Sequence, residues 1–127
     1  MNYTGLDVHK QLVFATTISA TGVRRRQWRF STAPEVLETF AQTLSKEDMV
    51  CLESTTNAVP IYQLLSQYAG KVVISNPLQT KAIAAAKIKT DKVDSEVLAH
   101  LLRTDYLPTV WVPDEATLRL RSQCSYR

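Results

Sequence analysis

The sequence has no run approaching eighteen apolar residues, so no segment reads as a membrane-spanning helix. Its opening residues, Met1 to Asp7, lack a basic stretch followed by an apolar core, which reads against a secretory signal. Cysteine is scarce: Cys51 and Cys124 make no disulfide framework, and no C-x-x-C pair points to zinc. Both thiols fit a reducing, cytoplasmic setting. Three glycines and five prolines exclude collagen-like and proline-rich architectures. Charge of one sign is also in short supply, since 15 Lys plus Arg face 12 Asp plus Glu for a net +3. That excess alone says little about a polyanionic partner.

What is present is ordinary globular composition, 45% hydrophobic and 21% charged, in 127 residues, a length suited to one domain. The pattern along the chain predicts strands at 2–8, 11–19 and 23–30, with Thr21-Gly22 as a turn, so the opening is a three-strand antiparallel meander. The period then changes. Ser31 or Thr32 can cap a helix with Pro34 in its first turn, and Val36, Leu37, Phe40, Ala41 and Leu44 recur at helical spacing. A short buried strand at 49–53 follows. A helix from about Asn57 to Tyr68 stops at Gly70, and a strand at 71–75 ends at Asn76-Pro77. Residues 78–88 and 91–103 read as helices, and Pro108 and Pro113 bracket an extended piece containing Trp111. The order β-β-β-α-β-α-β-α-α predicts an α/β fold: a mixed sheet of about five strands, the first three antiparallel, with helices on both faces. Residues 1–108 form the expected domain and 109–127 the start of a connector.

Four carboxylates stand out. Asp7 closes the first strand between Leu6 and Val8, and Glu53 closes the fourth directly after Met49-Val50-Cys51-Leu52. Asp91 and Asp94, three residues apart at the start of the last helix, would share one helical face. Each has an ordinary use: a turn acceptor at a strand end, an ion pair, a partner for the helix dipole. Taken together, converging carboxylates repel one another and need a cation. Mg²⁺ is the usual one, taking hard oxygen ligands, and Mn²⁺ can replace it. Such a centre suits phosphodiester cleavage or transfer.

In order along the chain stand Gly5-Leu6-Asp7-Val8-His9-Lys10, Leu52-Glu53-Ser54-Thr55, Asn76-Pro77 and Lys89-Thr90-Asp91-Lys92-Val93-Asp94-Ser95. Together they resemble the DEDD-type insertion-sequence transposases, the family of insertion sequence one-hundred-and-ten and the pilin-gene-inverting recombinase. The resemblance implies an RNase H-like fold of the Holliday-junction-resolvase (RuvC) type. It implies that Asp7, Glu53, Asp91 and Asp94 are the four acidic residues that bind Mg²⁺. It further implies DNA strand cutting and rejoining guided by a structured RNA, and oligomeric assembly of the full-length protein. Family chains continue into a second domain carrying a serine nucleophile, a part that Ser54, Ser95 and Ser125 do not take. This chain is then expected to be an N-terminal piece or a shortened reading frame, inactive alone. The competing readings are a stand-alone junction resolvase or nuclease, and a non-catalytic nucleic-acid-binding or dimerisation module.

Basic residues cluster at Arg24-Arg25-Arg26 and Arg29, and at Lys81, Lys87, Lys89 and Lys92. Lys87, Lys89 and Lys92 make a basic rim beside the acidic pair, the arrangement a nucleic-acid backbone asks for. Lys10, Arg24 and Arg26 are further candidates for phosphate contact, with Arg24 and Arg26 on one strand face and Arg25 on the other. On an edge strand the same charges also block aggregation. His9 can stand beside Asp7 or simply occupy a turn, and His100 reads as structural. Trp28 and Trp111 read as core packing in preference to base stacking, and Cys51 as a small buried hydrophobe.

Overall fold

The structure, a computed structural model, describes residues 1–53, 58–90 and 93–106, together with the backbone of 109–111. β1 (Asn2–Val8), β2 (Leu12–Ser19) and β3 (Arg24–Ser31) form the antiparallel meander. Gly22, at φ 89°, takes the left-handed turn between β2 and β3 that a side chain would resist. β4 (Met49–Glu53) and β5 (Lys71–Ser75) add in parallel on the other side of β1. β6 (Thr109–Trp111) pairs antiparallel with β5, giving the order β3-β2-β1-β4-β5-β6. The expected mixed α/β sheet, its first three strands antiparallel, is therefore present, with a sixth strand inside the segment read as a connector.

Strand alternation sorts the side chains between two layers. Leu6, Val50, Leu52, Val72 and Ile74 pack against α1 (Pro34–Ala41) and α2 (Ala58–Leu65) through Leu37, Phe40, Ile61 and Leu65. Cys51 and Val73 face the opposite way, against Leu98 and Leu102 of α4 (Ser95–Arg103), with Tyr3, Met49 and Val93 alongside. Trp28 sits in the first layer with Phe30 and Phe40, its centroid 5.5 Å from that of Phe40, which is the packing use expected of it.

Several boundaries differ from the sequence pattern. Helix α1 is capped by neither Ser31 nor Thr32: Ala33 takes the cap position without a side-chain bond, and Pro34 opens the helix. Ser31 Oγ instead accepts from the Ala33 amide at 3.0 Å. Helix α2 ends at Leu65 rather than Tyr68, and its expected cap, Asn57, lies outside the described residues. The 78–88 helix is α3 (Pro77–Ile83), capped by Asn76, running into a π-helical turn over Ala84–Ile88 that ends at left-handed Lys89. The last helix begins at Ser95, not 91, because the Asp94 side chain caps it.

The arginine cluster is also rearranged. Thr17 pairs with Arg26 but Ile18 with Arg24, so Arg25 is the extra residue of a β-bulge. The bulge breaks the alternation that would have put Arg24 and Arg26 on one face. Arg24 reaches Glu96 of α4 on one side, while Arg26 lies over Trp28 on the other.

Candidate active site

The register of the parallel strands brings the first two carboxylates together. Leu6 of β1 stands opposite Leu52 of β4, so Asp7 and Glu53 are the next residues on neighbouring strands. Both follow, two positions on, residues that face α4, namely Gly5 and Cys51, and so share that face. The Glu53 carboxyl is held above its ordinary value of 4.5 by desolvation first and by the Asp7 charge second, with His9 acting in the opposite sense. His9 Nε2 lies 3.1 Å from Asp7 Oδ2, and its ring meets Phe14 edge-on. Its amide donates to the Leu12 carbonyl at 2.8 Å, which fixes the turn that carries it. Of the two uses open to His9, the structure thus places it against the carboxylate.

Glu53 is in register with Ser75, the last residue of β5. Ser75 is buried, and its hydroxyl has no partner among the described residues beyond a weak contact with the Cys51 thiol. The linear pattern alone does not single it out as a site residue. The available signal was a polar residue closing an apolar strand, Val72-Val73-Ile74, as Glu53 closes its own.

Helix α4 lies across the same face. The Ser95 carbonyl and the Ala99 amide stand against Gly5, and Ser95 Oγ meets Thr16 Oγ1 at 2.7 Å in the interior. The first turn of α4 therefore lies over β1 two residues before Asp7 on the same strand face. Asp94 sits at this end, with Oδ1 accepting from the Val97 amide at 3.0 Å. The helix starts at Ser95 and Asp94 has extended backbone angles, so Asp94 precedes the helix instead of lying on one of its faces. Asp91 and Lys92 lie outside the described residues. Among the described residues, no three of His, Cys, Asp and Glu form a group ready to hold a metal ion. The structure sets His9 against Asp7 and places Asp7 beside Glu53 on the neighbouring strand, while Asp94 is engaged as a cap.

The basic candidates fall into separate settings. Lys10 is exposed at the β1–β2 turn, and its carbonyl accepts from the Thr32 hydroxyl. Arg24 Nη1 is 3.3 Å from both Glu96 Oε1 and Gln27 Oε1. Arg26 stacks 4.0 Å above Trp28, and Lys87 lies 5.4 Å from the Tyr106 ring. Lys89 is exposed at the end of the π-helical turn. His100 stands 3.8 Å from Glu96 on α4, the structural use expected of it.

Carboxylates crowded and partly desolvated in this way suit a hard divalent cation, whose charge would relieve the repulsion that raises Glu53.

Comparison with known proteins places these features. The profile of the DEDD-type IS110 transposase family matches residues 4–127. A protein of Sinorhizobium fredii (strain NBRC 101917 / NGR234) that carries the name transposase y4qE is 27% identical over 118 residues, covering 89% of this chain and 30% of its own length. The chain thus spans about a third of that curated relative (30%). Among solved structures, the ROK hexokinase of Thermus thermophilus aligns over 72% of this chain and 39% of its own at 15% identity, with a TM-score of 0.45.

Proposed function

Since the chain belongs to the DEDD-type IS110 transposase family, we propose that it is the part of a transposase that performs Mg²⁺-dependent phosphodiester chemistry on DNA, with Asp7, Glu53, Asp91 and Asp94 as its acidic centre. The observation that carries this reading is the placement of Asp7 and Glu53 side by side on parallel strands, with the Glu53 carboxyl driven upward by burial and by its neighbour.

When bound, Mg²⁺ supplies activation of the attacking oxygen and neutralisation of charge on the leaving one. The chain's own residues set the position. Asp7 and Glu53 offer oxygens from neighbouring strands. His9 holds Asp7 Oδ2 and so orients that carboxylate. Asp94 spends Oδ1 on the helix cap; Oδ2 is left for a ligand's part. Asp91 belongs to the set through the family motif Lys89-Thr90-Asp91-Lys92-Val93-Asp94.

Lys10, Arg24, Arg26, Lys87, Lys89 and Lys92 are proposed to hold the nucleic-acid backbone. The partners proposed are DNA, a structured guide RNA and further copies of the full-length chain, in the cytoplasm. The proposed catalytic domain, expected over residues 1–108, takes in β6 (Thr109–Trp111) as well, and 109–127 are proposed to lead on toward a second domain.

The test uses the chain extended to its relatives' length. Asp7→Ala should lower recombination by a factor on the order of 10³ or more while the thermal transition stays cooperative. Recombination at the wild-type level by Asp7→Ala would overturn the reading. Anomalous density after a Mn²⁺ soak, bounded by Asp7 and Glu53, would identify the cation's place independently.

A further inference from the structure

The β3 bulge makes a second site on the sheet face away from the acidic centre. Arg25 is the inserted residue between Arg24 and Arg26. A bulge of this kind turns two consecutive side chains toward the same side. Both Arg25 and Arg26 line one cavity of about 280 Å³ with Thr4, Thr17, Trp28 and Asp48. Thr4 and Thr17 are on the side of Leu6 and Phe40, whereas Thr16 and Arg24 engage α4 on the other, with Gln27 bonded to both of them.

The lining is rich in uncommitted donors. The Arg25 side chain makes no hydrogen bond or ion pair among the described residues, and the Arg26 side chain makes only its stacking contact with Trp28 at 4.0 Å. That contact holds the guanidinium plane and leaves its N–H edges outward. The hydroxyls of Thr4 and Thr17 are 2.8 Å apart, so one proton lies between them and the other is unspent. The single acid of the lining is already occupied: Asp48 accepts from the Asn2 amide at 3.1 Å and the Ser45 amide at 3.0 Å. Neither arginine pairs with it among the described residues.

We propose that this cavity binds a backbone phosphate of nucleic acid, held by Arg25 and Arg26 together. Thr4 is three residues from Asp7 along β1, roughly 10 Å at strand spacing, and on the opposite face. The phosphate gripped here is therefore not the one at the acidic centre. The cavity anchors a second stretch of nucleic acid, wrapped over the β3 edge of the sheet. The inference rests on the nucleic-acid reading given above and adds to it a separate grip, one in which Arg25 takes part and Arg24 does not.

The test is binding of the 127-residue chain to two probes, a duplex DNA and a single-stranded RNA of about 20 nucleotides, titrated across salt concentration. Arg25→Gln/Arg26→Gln should weaken binding about tenfold or more. Loss of the grip on that one phosphate should also flatten the log–log salt slope by about 0.9 for the duplex or about 0.7 for the single strand. Loss with one probe alone identifies the strand that occupies the cavity. Lys46→Gln/Lys71→Gln removes the same charge elsewhere and should change the slope far less. An equal effect from that pair, an unchanged slope in the arginine variant, or no binding of either probe by the unmodified chain at 50 mM salt would each overturn the proposal. The readout is binding, so a failed recombination test at Asp7 leaves this result separately interpretable.

Discussion

The carbonyl of Ser95 occupies the place that a β-carbon on Gly5 would take. Helix α4 thus lies on β1 backbone to backbone, with the Ala99 amide 2.7 Å and the Leu98 β-carbon 2.8 Å from the same point. The glycine two residues before Asp7 is there for this approach, which sets the first turn of α4, and Asp94 with it, over the strand that carries Asp7.

Gly5→Ala should therefore destabilise the fold by about 3 kcal/mol or more, because the methyl group meets backbone rather than a side chain that can swing away. A urea unfolding midpoint measures it. An unchanged midpoint would mean that α4 does not dock as described.

Asp94 has a structural role that can be separated from its proposed chemical one. Asp94→Ala removes the bond to the Val97 amide and should cost about 1 kcal/mol of stability. Asp94→Asn keeps a good capping residue and should melt close to the parent protein, yet lose recombination because the carboxylate charge is gone. Full activity in the Asn variant would leave Asp94 as a cap alone.

The division of the fold into strands and helices was legible because β4 and β5 are short apolar runs bounded by turns and the helices α1 and α4 carry apolar stripes. The pairing of Asp7 with Glu53 was legible from their matching positions at strand ends. Three things were not. Asp94 competes as an N-cap, so the helical pattern that runs back to Asp91 overstates the helix. The bulge at Arg25 depends on how β3 pairs with β2, and no pattern within Arg24-Arg25-Arg26 reveals it. Ser75 becomes noteworthy only when the register sets it beside Glu53. For the bulge and for Ser75 the deciding interaction links segments that one-dimensional periodicity treats separately, whereas for Asp94 it is a local bond to the Val97 amide.

Cys51 stands two residues from Glu53 on the same strand face, but is sealed beneath α4. Burial pushes its thiol up to about 12, so it carries almost no thiolate near neutral pH. Alkylation by iodoacetamide should be negligible in the folded state and appear only with unfolding. The labelling rate across a urea series, resolved by peptide, measures this. Rapid labelling without denaturant would show that α4 opens readily from the sheet.

Glu53 offers the sharpest test of whether the acidic centre is strained for function. Its carboxyl is held above its ordinary 4.5, chiefly by desolvation and then by Asp7. A group whose folded-state pKa is raised contributes its full stability below the unfolded pKa, and loses that contribution as pH rises through the folded value. Ionised Glu53 is therefore a burden on the fold at neutral pH when no cation is bound. In the presence of a chelator at pH 7, Glu53→Gln should melt higher than the parent protein, by an amount on the order of a few °C. The gap should shrink as pH falls toward 4.5, because the parent side chain becomes neutral as well. Adding Mg²⁺ at pH 7 should stabilise the parent and leave the Gln variant less affected, since the variant has lost one oxygen ligand's charge. Thermal melts over pH, with and without the metal, give all three comparisons. A Gln variant no more stable than the parent in chelator would show that the Asp7–Glu53 pair is already satisfied without a cation, and would remove the physical reason for placing one there.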